Sequence, residues 1–164
     1  MSDDTSARTA EAGTPPAAPL PRPSHIRATW AGAHLFDTGR MNGPPARLDG
    51  SGQTAQSPPD ALLSALAACS GVDVVDYLEK RRTPATALAV DVQADRRDLH
   101  PRRFEHMRLR FEISGPTIER THAERAVQLA FERYCSVAAS IAPDITIEAV
   151  VVLNGDSGAP MQLV

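Results

Sequence analysis

Within residues 61–78, thirteen of eighteen positions are apolar, and they surround a helical axis instead of lining one side of it. That is the pattern of a helix covered on most sides. The flanking residues supply both ends: Ser57 is a capping residue, Pro58 and Pro59 are tolerated in a first turn, and Asp60 stands where a carboxylate reaches back to the cap. Lys80, Arg81 and Arg82 suit the carbonyl end of the helix dipole. At about 1.5 Å per residue, a helix over residues 57–82 runs roughly 39 Å, longer than a small domain is wide. A second subunit is therefore expected to share its burial.

The segments on either side alternate with a period of two. Ile26, Ala28 and Trp30 alternate with Arg27 and Thr29, and Leu35-Phe36 follows after Gly32, which predicts a hairpin or a bent strand. Asp37-Thr38-Gly39-Arg40 and Met41-Asn42-Gly43-Pro44-Pro45 read as turns, and Ala46-Arg47-Leu48-Asp49 as a short strand. Beyond the helix stop at Thr83-Pro84, Leu88, Val90, Val92 and Ala94 share one face of a strand, and Met107, Leu109, Phe111 and Ile113 share one face of another. The two are expected to pair. Thr121 with Glu124 has the form of a capping box for a second helix, with Ala123, Val127, Ala130, Phe131 and Tyr134 at helical spacing. That helix delivers Cys135 at its end, and a further turn runs to Pro143. Ile145, Ile147, Ala149, Val151 and Leu153 make a last alternating strand.

The order of strands, long helix, strands, helix, strand, with hairpin-length links, predicts an α+β fold. Residues 1–24 are rich in Pro and Ala without periodicity and read as a disordered tail; 25–155 form the domain; 156–164 read as a C-terminal tail.

At 164 residues, 42% hydrophobic and 23% charged, the chain fits one globular domain whose core relies on Ala, Val, Leu and Ile, since only seven aromatics are present. A net charge of −3 and scattered arginines leave no basic footprint, so no nucleic-acid partner is expected. No uninterrupted apolar run reaches membrane-spanning length, Asp73 and Asp76 interrupt the long helix, and the acidic opening is followed by no hydrophobic leader. A cytoplasmic protein without membrane contact is expected. The five histidines show no metal-ligand spacing, and Asp49-Gly50-Ser51-Gly52 lacks a phosphate-loop frame, so neither metal nor cofactor is expected.

The two cysteines, Cys69 and Cys135, lie 66 residues apart. They are open to several readings: a structural disulfide, a metal half-site, a redox pair or two unrelated buried thiols, the first being the least suited to a reducing compartment. The Ser-Pro-rich cap, the run Leu62-Leu63-Ser64-Ala65-Leu66-Ala67-Ala68-Cys69 and the distant Arg133-Tyr134-Cys135-Ser136-Val137 resemble the OsmC/Ohr family of thiol-dependent peroxidases, over roughly residues 25 to 153. Cys69-Ser70-Gly71-Val72-Asp73-Val74 is similar to the OsmC-like subgroup.

The resemblance implies an intertwined homodimer with the long helices at its centre and two active sites at the interface. It implies reduction of organic hydroperoxides in oxidative-stress defence, with Cys69 as the peroxidatic and Cys135 as the resolving cysteine. It also implies no metal or flavin, and electrons from an external dithiol or lipoyl-type reductant. A non-catalytic dimer that binds a hydrophobic small molecule at the interface is the rival.

A thiol attacks as the thiolate. Cys69 lies twelve residues past Ser57, roughly 18 Å along the axis, where the dipole no longer helps, and Asp73 on the same face opposes ionisation. The family supplies an arginine from the N-terminal strands, held by a carboxylate near the start of the long helix. Arg40 is the first candidate, Arg47 the second, with Arg27 behind them. Pro59 occupies the position of the glutamate in hydroperoxide-resistance members, and Asp60, one residue later, stands as carboxylate or as helix cap.

Overall fold

The computed structural model describes residues 23–164, so all but the last two residues of the expected N-terminal tail lie outside the described residues. The chain opens with strands β1 (Ile26–Trp30), β2 (Leu35–Arg40) and β3 (Ala46–Asp49), an antiparallel three-stranded sheet. Residues 37–40, expected as a turn, belong to β2, where Asp37 and Thr38 pair with both neighbouring strands. The β1–β2 turn is Gly32-Ala33, both at positive φ, where the Trp30 indole N–H donates to the Ala33 carbonyl, and the expected turn within 41–45 links β2 to β3.

The loop into the long helix is organised by Asp49. Its buried carboxylate accepts from the backbone N–H groups of Ser51, Gln53 and Thr54 and from the hydroxyls of Ser51 and Thr54, which hold its pKa far below the carboxylate range. Helix α1 (Pro58–Lys80) then starts as expected: Ser57 and Asp60 form a complete capping box. It ends with Arg82 in the left-handed region (φ 61°), and Thr83 N–H returns to the Leu78 carbonyl at 3.0 Å.

Strands β4 (Ala87–Arg96) and β5 (Phe104–Ser114) pair antiparallel along their full length. On β5, Met107, Leu109, Phe111 and Ile113 are buried, whereas Arg108, Arg110 and Glu112 face outward in a charged ladder that includes Asp95 and Glu148. Helix α2 (Arg120–Leu129), a π turn (Ala130–Tyr134) and the short helix α3 (Ser136–Ala139) lead to β6 (Thr146–Leu153). β6 joins β5 in parallel, so one crossover interrupts the otherwise antiparallel pattern.

α2 begins one residue before the expected capping box. Glu119 is the N-cap without a side-chain bond, and Glu124 instead lies 3.6 Å from Arg120. Ile118 and Ala123, both buried, hold the places of a hydrophobic staple and so set the start. The expected C-terminal tail is also corrected: β7 (Asp156–Ser157) and β8 (Met161–Gln162) both pair with β6. Asn154 and Gly155, at φ 51° and 86°, make the two-residue hairpin turn that sends the chain back.

α1 lies on the sheet face formed by β4 to β6, beside α2 and α3. By length and apolarity it could cross a membrane, but Leu66, Ser70, Val74 and Leu78 form a buried stripe in the core. Burial on most sides was expected; one chain buries one stripe, and Leu62 and Val72 remain exposed. Ile26, Trp30 and Phe36 on the three-stranded sheet are exposed as well.

Candidate active site

Cys69 sits midway along α1, half-buried, where the helix's own N–H groups are already bonded to carbonyls. Cys135 stands at a break. Its N–H reaches back five residues to the Ala130 carbonyl at 2.7 Å, closing the π turn, and its own backbone is extended (φ −68°, ψ 98°). It therefore caps α3, with its sulfur accepting from the Ala138 N–H at 3.4 Å. This break brings Cys135 against α1: the two sulfurs and a carboxylate oxygen of Asp73 all lie within 4.8 Å of one another. Both cysteines are free thiols.

The two sulfurs have opposite electrostatics. The Val137 N–H is the largest influence on Cys69 and lowers its pKa, and the Cys135 and Ser136 side chains act in the same direction against burial and Asp73. The Ser136 Oγ lies 3.9 Å from the Cys69 sulfur. Cys135, 2% exposed, is pushed up to about 11 chiefly by burial, which the Ala138 N–H only partly offsets. Of the two, ionisation is therefore favoured at Cys69 and opposed at Cys135. Asp73 is raised by burial and by Asp76, with Lys80 opposing, and its Oδ2 is buried with no hydrogen-bond partner among the described residues. Three donor atoms, two of them sulfur, fall short of the four that a closed structural zinc site uses.

The remaining candidates are placed elsewhere. Arg47 on β3 is bound to Asp37, its direct cross-strand partner, through two bonds of 2.8 Å. Arg40 ends β2 and makes no ion pair among the described residues, and Arg27 lies on β1. Asp60 is held in the cap by Ser57 Oγ at 2.6 Å, nine residues and roughly 13 Å along the axis from Cys69. Among the described residues, no hydrogen bond joins Arg40, Arg47 or Asp60 to either sulfur. The donors that sequence reasoning missed are backbone groups, Val137 and Ala138 N–H. Their only signal is a cysteine followed by serine at a helix restart. Beside Ser136 opens an apolar hollow of about 450 Å³, lined by Leu62, Ala65, Val137, Ile141 and Ile145.

A family profile described as OsmC-like protein matches residues 50–150, which include both cysteines. Protein YhfA of Escherichia coli (strain K12) is 34% identical over 122 residues, 74% of this chain and 91% of that protein. An OsmC like protein from Mycoplasma pneumoniae shares the fold with TM-score 0.70 at 18% identity, over 80% of this chain and 97% of that one. An organic hydroperoxide resistance protein OsmC from Legionella pneumophila does so with TM-score 0.57 at 15% identity, over 77% and 94%. With a profile matched over most of the folded region and a relative one-third identical across nearly its whole length, this chain belongs to the OsmC-like protein family.

Proposed function

We propose that this protein reduces organic hydroperoxides by a two-thiol cycle. The supporting observation is the unequal pair: a Cys69 sulfur whose ionisation is favoured, within 4.8 Å of a Cys135 sulfur whose ionisation is opposed. The Cys69 thiolate attacks the terminal peroxide oxygen, the O–O bond breaks, the alkoxide takes a proton from solvent and leaves as the alcohol, and Cys69 becomes a sulfenic acid. The Cys135 sulfur then attacks Cys69, the S–O bond breaks, water leaves and a disulfide closes. An external dithiol of lipoyl type restores both thiols by exchange. The apolar hollow beside Ser136 suits the alkyl part of the substrate.

The working unit in this reading is a homodimer. The outer face of α1 and the Trp30–Phe36 face of the first sheet are the apolar surfaces that a second copy would cover. Sedimentation at micromolar concentration should show no folded monomer. Arg40 is the cation assigned to the substrate-bound sulfur, with Arg47 as the alternative and Asp60 as the carboxylate that would hold it, and a reducing cytoplasm would keep the pair as dithiol. The domain that carries all of this begins near residue 25 and takes in β7 and β8 beyond the expected end at 155.

The same hollow favours a second reading, a non-catalytic dimer that binds a hydrophobic small molecule. One experiment separates them. The reduced protein is mixed with cumene hydroperoxide, and peroxide consumed is compared with Cys69–Cys135 disulfide by mass spectrometry. The cycle predicts one equivalent of each; peroxide left intact leaves the binding protein.

A further inference from the structure

Asp73 follows Cys69 by one turn of α1 and so shares its face. One of its carboxylate oxygens lies within 4.8 Å of both sulfurs, and its Oδ2 is buried with no hydrogen-bond partner among the described residues. Such an orphan acceptor is costly, and an apolar side chain of similar size would fill the position without that cost. The other charged groups acting on it, Asp76 and Lys80, lie on the same helix, and the groups facing it from the site are the two thiols. Asp73 makes no hydrogen bond to either sulfur in the dithiol state, yet a carboxylate oxygen lies within 4.8 Å of both. One oxygen atom bonded to the Cys69 sulfur, followed by a hydrogen bond of about 2.7 Å, brings a sulfenic hydroxyl within reach of that carboxylate.

We propose that Asp73 is a catalytic residue that receives the hydroxyl of the Cys69 sulfenic acid and carries the proton of Cys135 to the departing oxygen. The inference rests on the two-thiol reading above. In the step, the Cys135 S–H proton passes to the Asp73 carboxylate as the Cys135 sulfur bonds to the Cys69 sulfur. The S–O bond breaks with its electron pair on oxygen, and the same proton moves from Asp73 to that oxygen. The products are one disulfide, one water and an unchanged carboxylate. A base is needed here because burial holds Cys135 in the thiol form.

The test separates the two half-reactions in Asp73→Asn, which keeps the shape and removes the base. With cumene hydroperoxide, the first equivalent should be consumed at least as fast as by the wild type, since a charge opposing the thiolate is gone. Disulfide closure should slow by about 100-fold or more, the range of general acid–base catalysis. Sulfenic acid should accumulate and be trapped by dimedone. In the wild type, closure should slow as pH falls through the raised pKa of Asp73, because the protonated carboxylic acid cannot accept the Cys135 proton; the variant should lose that limb.

Closure in Asp73→Asn at the wild-type rate overturns the proposal while the thiol cycle stands. Failure of the wild type to form sulfenic acid overturns both. If the variant does not fold, the wild-type pH profile decides, and a closure rate flat on the acid side rejects Asp73.

Discussion

The two segments that carry the sulfurs solve opposite problems. Cys69 lies in an unbroken helix of 23 residues, where every nearby N–H is bonded to a carbonyl and none is free for a thiolate. Cys135 lies where the helical path is broken twice, by a π turn before it and an extended residue at it. That break frees the first N–H groups of α3. The Val137 N–H is the main influence that lowers Cys69 across the gap, and the Ala138 N–H donates to Cys135 itself. Both sulfurs receive a donor, yet their pKa values move in opposite directions because Cys135 is the more deeply buried. Burial, more than hydrogen bonding, makes the pair unequal.

Replacing the sulfurs one at a time is the strongest way to break this comparison. Cys69→Ser should abolish peroxide consumption outright, because a serine hydroxyl is no substitute nucleophile at neutral pH. Cys135→Ser should consume one equivalent and stop as the sulfenic acid, or take up a second equivalent as it overoxidises to the sulfinic acid. Equal loss of the first turnover in both variants, measured by stopped-flow consumption, would reverse or dissolve the assignment.

Titration sharpens the contrast without altering the sulfurs' neighbours. Thiolate absorbance should rise in two steps, Cys69 below the ordinary thiol range and Cys135 near 11. The sign for stability follows from burial. The unfolded chain ionises Cys135 first, so its contribution is complete below the ordinary thiol pKa and is lost as pH rises towards 11. Cys135→Ser should flatten that alkaline loss in chemical denaturation.

Much of the frame was legible because its signals are local. The Ser57–Asp60 capping box needs four residues, and the alternation on β4 and β5 needs one strand each. The parallel pairing of β5 with β6 depends on a crossover through two helices, which no local pattern reveals. The π turn was invisible for another reason: Ala130, Phe131 and Tyr134 fit α-helical spacing equally well. β7 and β8, two residues each, are too short to alternate, although Asn154-Gly155 was a readable hairpin signal. Apolar content along α1 marked a core helix but could not tell which stripe its own chain covers. The proximity of the sulfurs came from resemblance, never from their separation in sequence.

The expectation of an arginine beside Cys69 yields the next contrast. Arg47 is committed to Asp37, whereas Arg40 is not paired among the described residues. Arg40→Ala should slow the first turnover by about tenfold or more, since a charge at close range contributes on the order of 1–4 kcal/mol between water-like and surface-like screening. Arg47→Ala should have less effect on the rate. If neither changes it, the backbone donors alone activate the thiolate.

Ser136→Ala carries the smallest expected effect. The hydroxyl lies 3.9 Å from the Cys69 sulfur, at the outer limit for a hydrogen bond to sulfur, and it begins the same helix that supplies the Val137 N–H. Removing it leaves that N–H in place. The Cys69 pKa should rise slightly and the first turnover should fall by no more than about threefold, since a bond this long and exposed belongs at the low end, about 0.5 kcal/mol, of what a hydrogen bond contributes. Ser140→Ala is the control, because its hydroxyl donates to the Ser136 carbonyl at 2.7 Å and supports the helix without meeting the sulfur. A loss in Ser136→Ala as large as that in Arg40→Ala would mean that the hydroxyl holds the peroxide itself. The lip of the apolar hollow would then belong to the catalytic site.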